Sequence, residues 1–140
     1  SDVKILADVL VKHASSLGTP NLTTAVEDTI HRGLADGIIL SGRATGMPPR
    51  LEDLALARAA AGDTPVFVGS GANWSNVGEL VRHVDGVIVS SSLKRKGKIE
   101  EPVDPIRVRQ FVTALAQGVA QKNEMQHAET EAGNRSVAAV

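Results

Sequence analysis

Short apolar runs rich in β-branched residues alternate along the chain with stretches whose apolar residues return every three or four positions. The runs are Val3 to Val11, Ile38 to Ser41, Val66 to Gly69 and Val87 to Ser90. Continuous apolar runs of this length, bounded by Gly, Ser or Thr, are how strands buried on both faces of a parallel sheet read. Three predicted helices lie between them and a fourth follows the last. Thr23 or Thr24 can cap the first, with Val26, Ile30 and Leu34 on its apolar face and Glu27 and Asp28 near its positive end. The second runs from about Pro49 through Leu51, Leu54 and Ala55 to Ala61, where Gly62 can take a left-handed cap. Asn73 or Ser75 can start the third, which carries Val77, Leu80 and Val81. Asp104 followed by Pro105 opens the fourth, with Val108, Phe111, Val112, Leu115 and Val119 on one face.

Four strand–helix units predict an α/β fold with a parallel sheet. Two architectures accommodate them: the C-terminal half of a (βα)8 barrel, or a small open, doubly wound sheet. A closed barrel takes about 250 residues, and 140 residues supply half of one. Ala35-Asp36-Gly37-Ile38-Ile39-Leu40-Ser41 recurs as Val84-Asp85-Gly86-Val87-Ile88-Val89-Ser90, and similarity between alternate strands suits a barrel whose even strands share an inner layer. Residues 1–121 are read as the (βα)4 domain and residues 122–140, polar and without an apolar face, as a disordered tail.

Composition narrows the function. Fifteen Lys and Arg against sixteen Asp and Glu give a net charge of −1, which supplies no field for nucleic acid or an anionic membrane. No cysteine is present, so disulfides, thiolate nucleophiles and Cys-bound metals are excluded. Trp74, Phe67 and Phe111 are the whole aromatic set, too few for a base-stacking platform. No apolar stretch approaches a membrane span. A cytoplasmic location, no cofactor and no metal are expected.

Three groups of residues carry candidate chemistry. Gly69, Ser70 and Gly71 end the third strand just before a helix, and Ser91 and Ser92 follow the fourth strand. Glycine-rich strand-to-helix turns expose backbone N–H groups that bind phosphate without a charged side chain, and barrels often build phosphate sites from the loops after their last two strands. A tight turn and simple capping are the bland alternative. In the first strand, period-two alternation sets Lys4, Leu6, Asp8, Leu10 and Lys12 on one side, and Ile5, Ala7, Val9 and Val11 on the other. With the apolar side toward the helices, Asp8 and Lys12 point into the barrel, and His13 follows at its rim. Lys12 could act as base or Schiff-base nucleophile with Asp8 orienting it, or the two could form a structural ion pair. Ser41, Gly42, Thr45 and Gly46 belong to a long loop suited to a substrate at the barrel mouth. Lys94 to Lys98 holds four cations, a lid over phosphate or a solvated loop.

Several blocks in order, Ala7-Asp8-Val9 through Val11-Lys12-His13-Ala14, Asp28 to Asp36, Ser41 to Gly46, Pro65 to Gly71, Asp85 to Val89 and Pro102 to Pro105, resemble the C-terminal half of the BtpA/SgcQ family. The resemblance implies a TIM-barrel-like fold of about twice this length. It also implies a link to photosystem I biogenesis for the cyanobacterial namesake, although relatives in organisms without photosynthesis need another role. Asp8, Lys12 and His13 match its first block, Ser41, Gly42, Thr45 and Gly46 the next, and Gly69, Ser70 and Gly71 a third. Two functions from different classes follow: an enzyme acting on a phosphorylated sugar or nucleotide-like molecule by isomerisation, lyase chemistry or glycosyl-bond cleavage, and a non-catalytic assembly factor. A half barrel leaves two strand edges open, so a homo-oligomer or a missing N-terminal half is the expected partner.

Overall fold

The structure, a computed structural model, describes residues 2–9, 21–42 and 46–137. Its elements follow in the order β1 (Leu6–Val9), α1 (Leu22–His31), β2 (Gly37–Leu40), α2 (Leu51–Ala61), β3 (Val66–Val68), α3 (Val77–His83), β4 (Gly86–Val87) and α4 (Pro105–Val137). All four strands are parallel and lie side by side in chain order. When each strand is added on the same side through a right-handed crossover, every helix falls on one face of the sheet. The packing follows that rule. Val9, Ile38, Leu40, Val66 and Val68 share one core with Val26 of α1, Leu54, Ala57 and Ala61 of α2, Val77, Leu80 and Val81 of α3, and Phe111 of α4. This overturns the doubly wound alternative, which reverses strand order at a switch point and carries helices on both faces. The chain forms four consecutive units of a barrel, open at β1 and at β4.

The strand register sets Leu6, Asp8, Gly37, Ile39, Phe67 and Gly86 on the face turned away from the helices. The repeated Asp-Gly pair explains how that face is built. Asp36 Oδ2 accepts the Ile5 N–H at 2.9 Å while the Asp36 N–H donates to the Ile5 carbonyl at 2.8 Å. Asp85 exchanges the same two bonds with Val66, each at 2.8 Å. Each aspartate also holds a cation, Lys4 for Asp36 and Arg58 for Asp85. The Ile5 amide, and then the Lys4 ammonium, keep the Asp36 carboxyl below the usual carboxylate range. The glycine that follows makes room. A β-carbon on Gly37 would meet Leu6 Cδ2 at 2.7 Å and Phe67 Cε2 at 3.2 Å, and one on Gly86 would meet two Phe67 ring carbons at 2.9 Å. Large side chains on β1 and β3 thus lie over glycines on β2 and β4.

Local signals are met with some shifts. Gly62 ends α2 at φ 58°, and Asp104 Oδ1 caps α4 through the Ile106 N–H at 2.9 Å. The cap of α1 is Asn21 rather than Thr23 or Thr24, its side chain accepting the Thr24 N–H at 3.4 Å. Leu34 lies beyond the end of α1 in a left-handed turn with φ 54°, so it leaves the apolar face and is exposed. Where the sequence predicts a disordered tail from residue 122, the backbone is helical as far as Val137. Gln, Glu, Met and Ala there are good helix formers, and the side chains from 123 to 132 are exposed, so propensity rather than burial carries this extension. Among the described residues, no helix is long and apolar enough to cross a membrane.

Candidate functional site

The loops that leave β3 and β4 border a single pocket of about 260 Å³. Gly69, Ser70, Gly71, Ala72 and Asn73 come from the first loop, and Ile88 to Ser92 from the second, with Gly46 reaching in from the loop after β2. Among the described residues, no charged side chain lines it. The pocket lies at the C-terminal ends of the strands, where β3 runs into Gly69 and a single turn of 3₁₀ helix, Ser91–Leu93, follows β4. All five residues expected to hold phosphate therefore stand around one cavity.

The two walls are locked by short polar bonds. Asn76 Nδ2 donates to the Gly71 carbonyl at 2.9 Å while its Oδ1 accepts the Asn73 N–H at 2.8 Å, so one amide fixes the path of the loop. Asn73 Oδ1 in turn accepts the Ser75 N–H at 2.8 Å. Ser92 Oγ donates to the Ala72 carbonyl at 2.8 Å and ties the second wall to the first. Behind it, Arg107 of α4 donates from Nη1 to the Ser92 carbonyl at 3.2 Å. Among the described residues no hydrogen bond is found for the N–H groups of Gly71, Ala72, Ser91 or Ser92, and such groups are available to an oxyanion.

Glycine is required at two points of this rim. Gly71 has φ 79°, and a β-carbon there would strike the peptide joining Met47 to Pro48. A β-carbon on Gly42 would strike the Met47 and Pro48 carbonyls. The predicted substrate loop and the predicted phosphate loop are therefore packed backbone against backbone, and this contact needs two residues without side chains. A β-carbon on Gly69 would lie 2.5 Å from Ile39 Cγ2 and 2.8 Å from Ser41 Oγ.

Ser41 stands between Gly69 of the pocket rim and Asp8. Its Oγ lies 3.5 Å from Asp8 Oδ1, at the outer limit of a hydrogen bond. Asp8 is exposed on the inner face, level with Ile39, as alternation predicts. Lys12, His13 and Thr45 lie outside the described residues. The Lys94 to Lys98 run does not border the pocket. It is a surface excursion tied to itself by an antiparallel bridge between Lys94 and Val103, a bond from Lys94 Nζ to the Ile99 carbonyl and a Lys96–Glu101 pair at 3.9 Å. Sequence reasoning passed over Asn76 as a brace, although two asparagines three apart before a helix are a turn signal. Arg107 carried no such signal, because only the tertiary fold brings α4 behind Ser92.

Among solved structures, the fold is similar to N-(5'-phosphoribosyl)anthranilate isomerase from Pyrococcus furiosus, a TIM barrel, with a TM-score of 0.51 and 22% identity over 81% of this chain and 51% of that one. Among curated sequences, the chain is 63% identical over 138 residues to the photosystem I biogenesis protein BtpA of Synechocystis sp., which covers 98% of this chain and 48% of the relative. It is 44% identical over 112 residues to an uncharacterized protein of Thermococcus kodakarensis, 80% of this chain and 42% of the relative. The chain spans about half the length of the curated relatives it matches, which fits one half of their fold. Residues 1–117 match the BtpA family across nearly every element described above, and the chain belongs to that family.

Proposed function

We propose that this chain binds a phosphorylated small molecule, a sugar phosphate or nucleotide-like compound, in the pocket between the loops after β3 and β4. One observation carries the reading: two separate loops bring glycines and serines around a cavity where, among the described residues, no charged side chain lines the wall and the N–H groups of Gly71, Ala72, Ser91 and Ser92 have no hydrogen bond. A phosphate monoester is held well by fixed dipoles in such a place, because their alignment is already secured by the fold. At about 260 Å³ the space suits a phosphate and the first atoms attached to it. The rest of the molecule would extend over the inner face toward Asp8 and Ser41. Asp8, with Lys12 and His13 as the alternation of the sequence orders them, would supply acid–base chemistry for isomerisation, bond cleavage of the lyase type or glycosyl-bond cleavage. The fold neighbour bears the name of an isomerase with a phosphoribosyl substrate, which supports the same class of ligand.

The test is thermal stabilisation by inorganic phosphate, ribose 5-phosphate and a nucleoside monophosphate panel, with ribose as control. Ligand at about 100 times its dissociation constant adds roughly 2.7 kcal/mol. Gly71 is a poor probe, since any side chain there strikes the Met47–Pro48 peptide. Ser91 is exposed, and Ser91→Asp places a carboxylate against the anion, so affinity is expected to fall at least tenfold without loss of fold. An unchanged shift in Ser91→Asp removes the site. Lys12→Met is expected to abolish turnover of any substrate found while leaving its binding intact.

A second reading rests on the Synechocystis relative, whose name describes biogenesis of photosystem I. There the chain acts through protein contacts rather than chemistry. Binding of phosphate esters without turnover, or no binding by a folded chain, would favour it.

A further inference from the structure

We infer that Arg107, which stands outside the pocket, sets the pocket's charge selectivity: its guanidinium acts through the Ser91–Leu93 turn and makes the site one for a phosphate monoester in its dianionic form. The inference rests on the phosphate reading above and goes beyond it, since that reading uses only neutral groups.

The hydrogen bonds of the turn carry the argument. Arg107 Nη1 donates to the Ser92 carbonyl at 3.2 Å. The N–H of that same peptide belongs to Leu93 and donates to the Ser90 carbonyl at 3.0 Å. The N–H of this next peptide belongs to Ser91, which lines the pocket and, among the described residues, has no hydrogen bond. Guanidinium and pocket are thus the two ends of one line of donors, each peptide accepting from behind and donating ahead. Hydrogen bonds in series polarise one another, so a cation at the closed end strengthens the donor at the open end. The line is fixed on both sides, because the Asp104 N–H donates to the Leu93 carbonyl at 2.8 Å and Ser92 Oγ to the Ala72 carbonyl at 2.8 Å.

The charges nearest in the chain are committed elsewhere. Lys94 Nζ bonds to the Ile99 carbonyl, and the Asp104 carboxylate caps the Ile106 N–H. Among the described residues Arg107 has no ion-pair partner. Its charge is therefore uncompensated, and being partly buried it is weakly screened. Such a charge acts in proportion to that of the ligand, twice as strongly on a monoester dianion as on a diester monoanion.

The experiment is calorimetric titration of the full chain with ribose 5-phosphate and with its methyl diester, at about pH 8, above the second ionisation of the monoester at about 6. The parent is expected to prefer the monoester at least tenfold; in Arg107→Gln that preference is expected to shrink about tenfold, and in Arg107→Lys, which keeps the charge, to be largely restored. A wall that is merely loosened weakens both esters alike, so an unchanged preference in an Arg107→Gln chain whose fold is confirmed by circular dichroism overturns the role of Arg107 and leaves the pocket in place. Equal affinity of the parent for the two esters overturns it without any variant. Binding of neither ester by the folded parent overturns the phosphate reading itself, and this inference with it.

Discussion

Gly118 lies where α4 crosses α3, and replacing it by alanine sets two known effects against each other. In an open helix the change is favourable by about 1 kcal/mol, because alanine has the higher helix propensity. At this crossing a β-carbon would lie 2.5 Å from the Gly78 carbonyl oxygen, 2.6 Å from Gly78 Cα and 2.8 Å from Val81 Cγ2. Carbon contacts settle near 3.5 Å or more, so the helices must part by about 1 Å, and two of the three obstacles are backbone. The separation loosens Val77, Leu80, Val81 and Phe111, all buried in the common core. Overpacking of this kind costs about 1–3 kcal/mol; with backbone as two of the three obstacles the cost lies in the upper part, about 2–3, so after the propensity gain of about 1 the net expected loss is about 1–2 kcal/mol. The partner glycine supplies the control. A β-carbon on Gly78 would meet the Ala114 carbonyl at 3.3 Å and little else, so Gly78→Ala is expected to be near neutral. Urea unfolding at one fixed protein concentration reads both. Equal stability of Gly118→Ala and the parent, or equal losses at the two glycines, would refute the reasoning.

Two further outcomes are expected. Because the Ile5 amide and Lys4 hold the Asp36 carboxyl pKa down, the stability it contributes is fully present above its unfolded value of about 4 and is lost as pH falls through the lower folded value. Asp36→Asn should therefore flatten the acid limb of a stability–pH curve, and an unchanged limb would show that the Asp36 link does not matter to folding. Ser92→Ala removes the bond that joins the two pocket walls and is expected to cost about 1 kcal/mol and to weaken phosphate-ester binding. Stability loss without any change in binding would place Ser92 in the scaffold alone.

How much of this was legible in the sequence depends on the range of the contact involved. Period-two alternation placed Asp8 and Leu6 on the inner side of β1, because strand geometry leaves only two faces and the apolar one, with Val9, belongs to the core. The cap glycine at 62 and the Asp104–Pro105 start were equally local and were met. The choice between barrel and doubly wound sheet was not local. It required the order of strands, which no single run of residues encodes. The same limit explains Arg107 and the contact between Gly42, Gly71 and the Met47–Pro48 peptide: each joins segments distant in the chain, and glycine written in a sequence does not say whether it serves a turn or an approaching backbone.

The Asp-Gly repeat shows how a local pattern can hold nonlocal information. Read along the chain, it was only a resemblance between two alternate strands. Read in the sheet, the aspartate of each copy exchanges two hydrogen bonds with the strand before it, and the glycine yields its inner position to the side chains of its neighbours. A strand carrying this pair therefore specifies what flanks it: an aspartate-bonded backbone on one side and large apolar residues above the glycine. β2 finds both conditions within the chain, whereas β4 finds them on the β3 side. At Gly86 the overlying side chain is Phe67, so the pair specifies the β3 flank of β4 just as it specifies both flanks of β2.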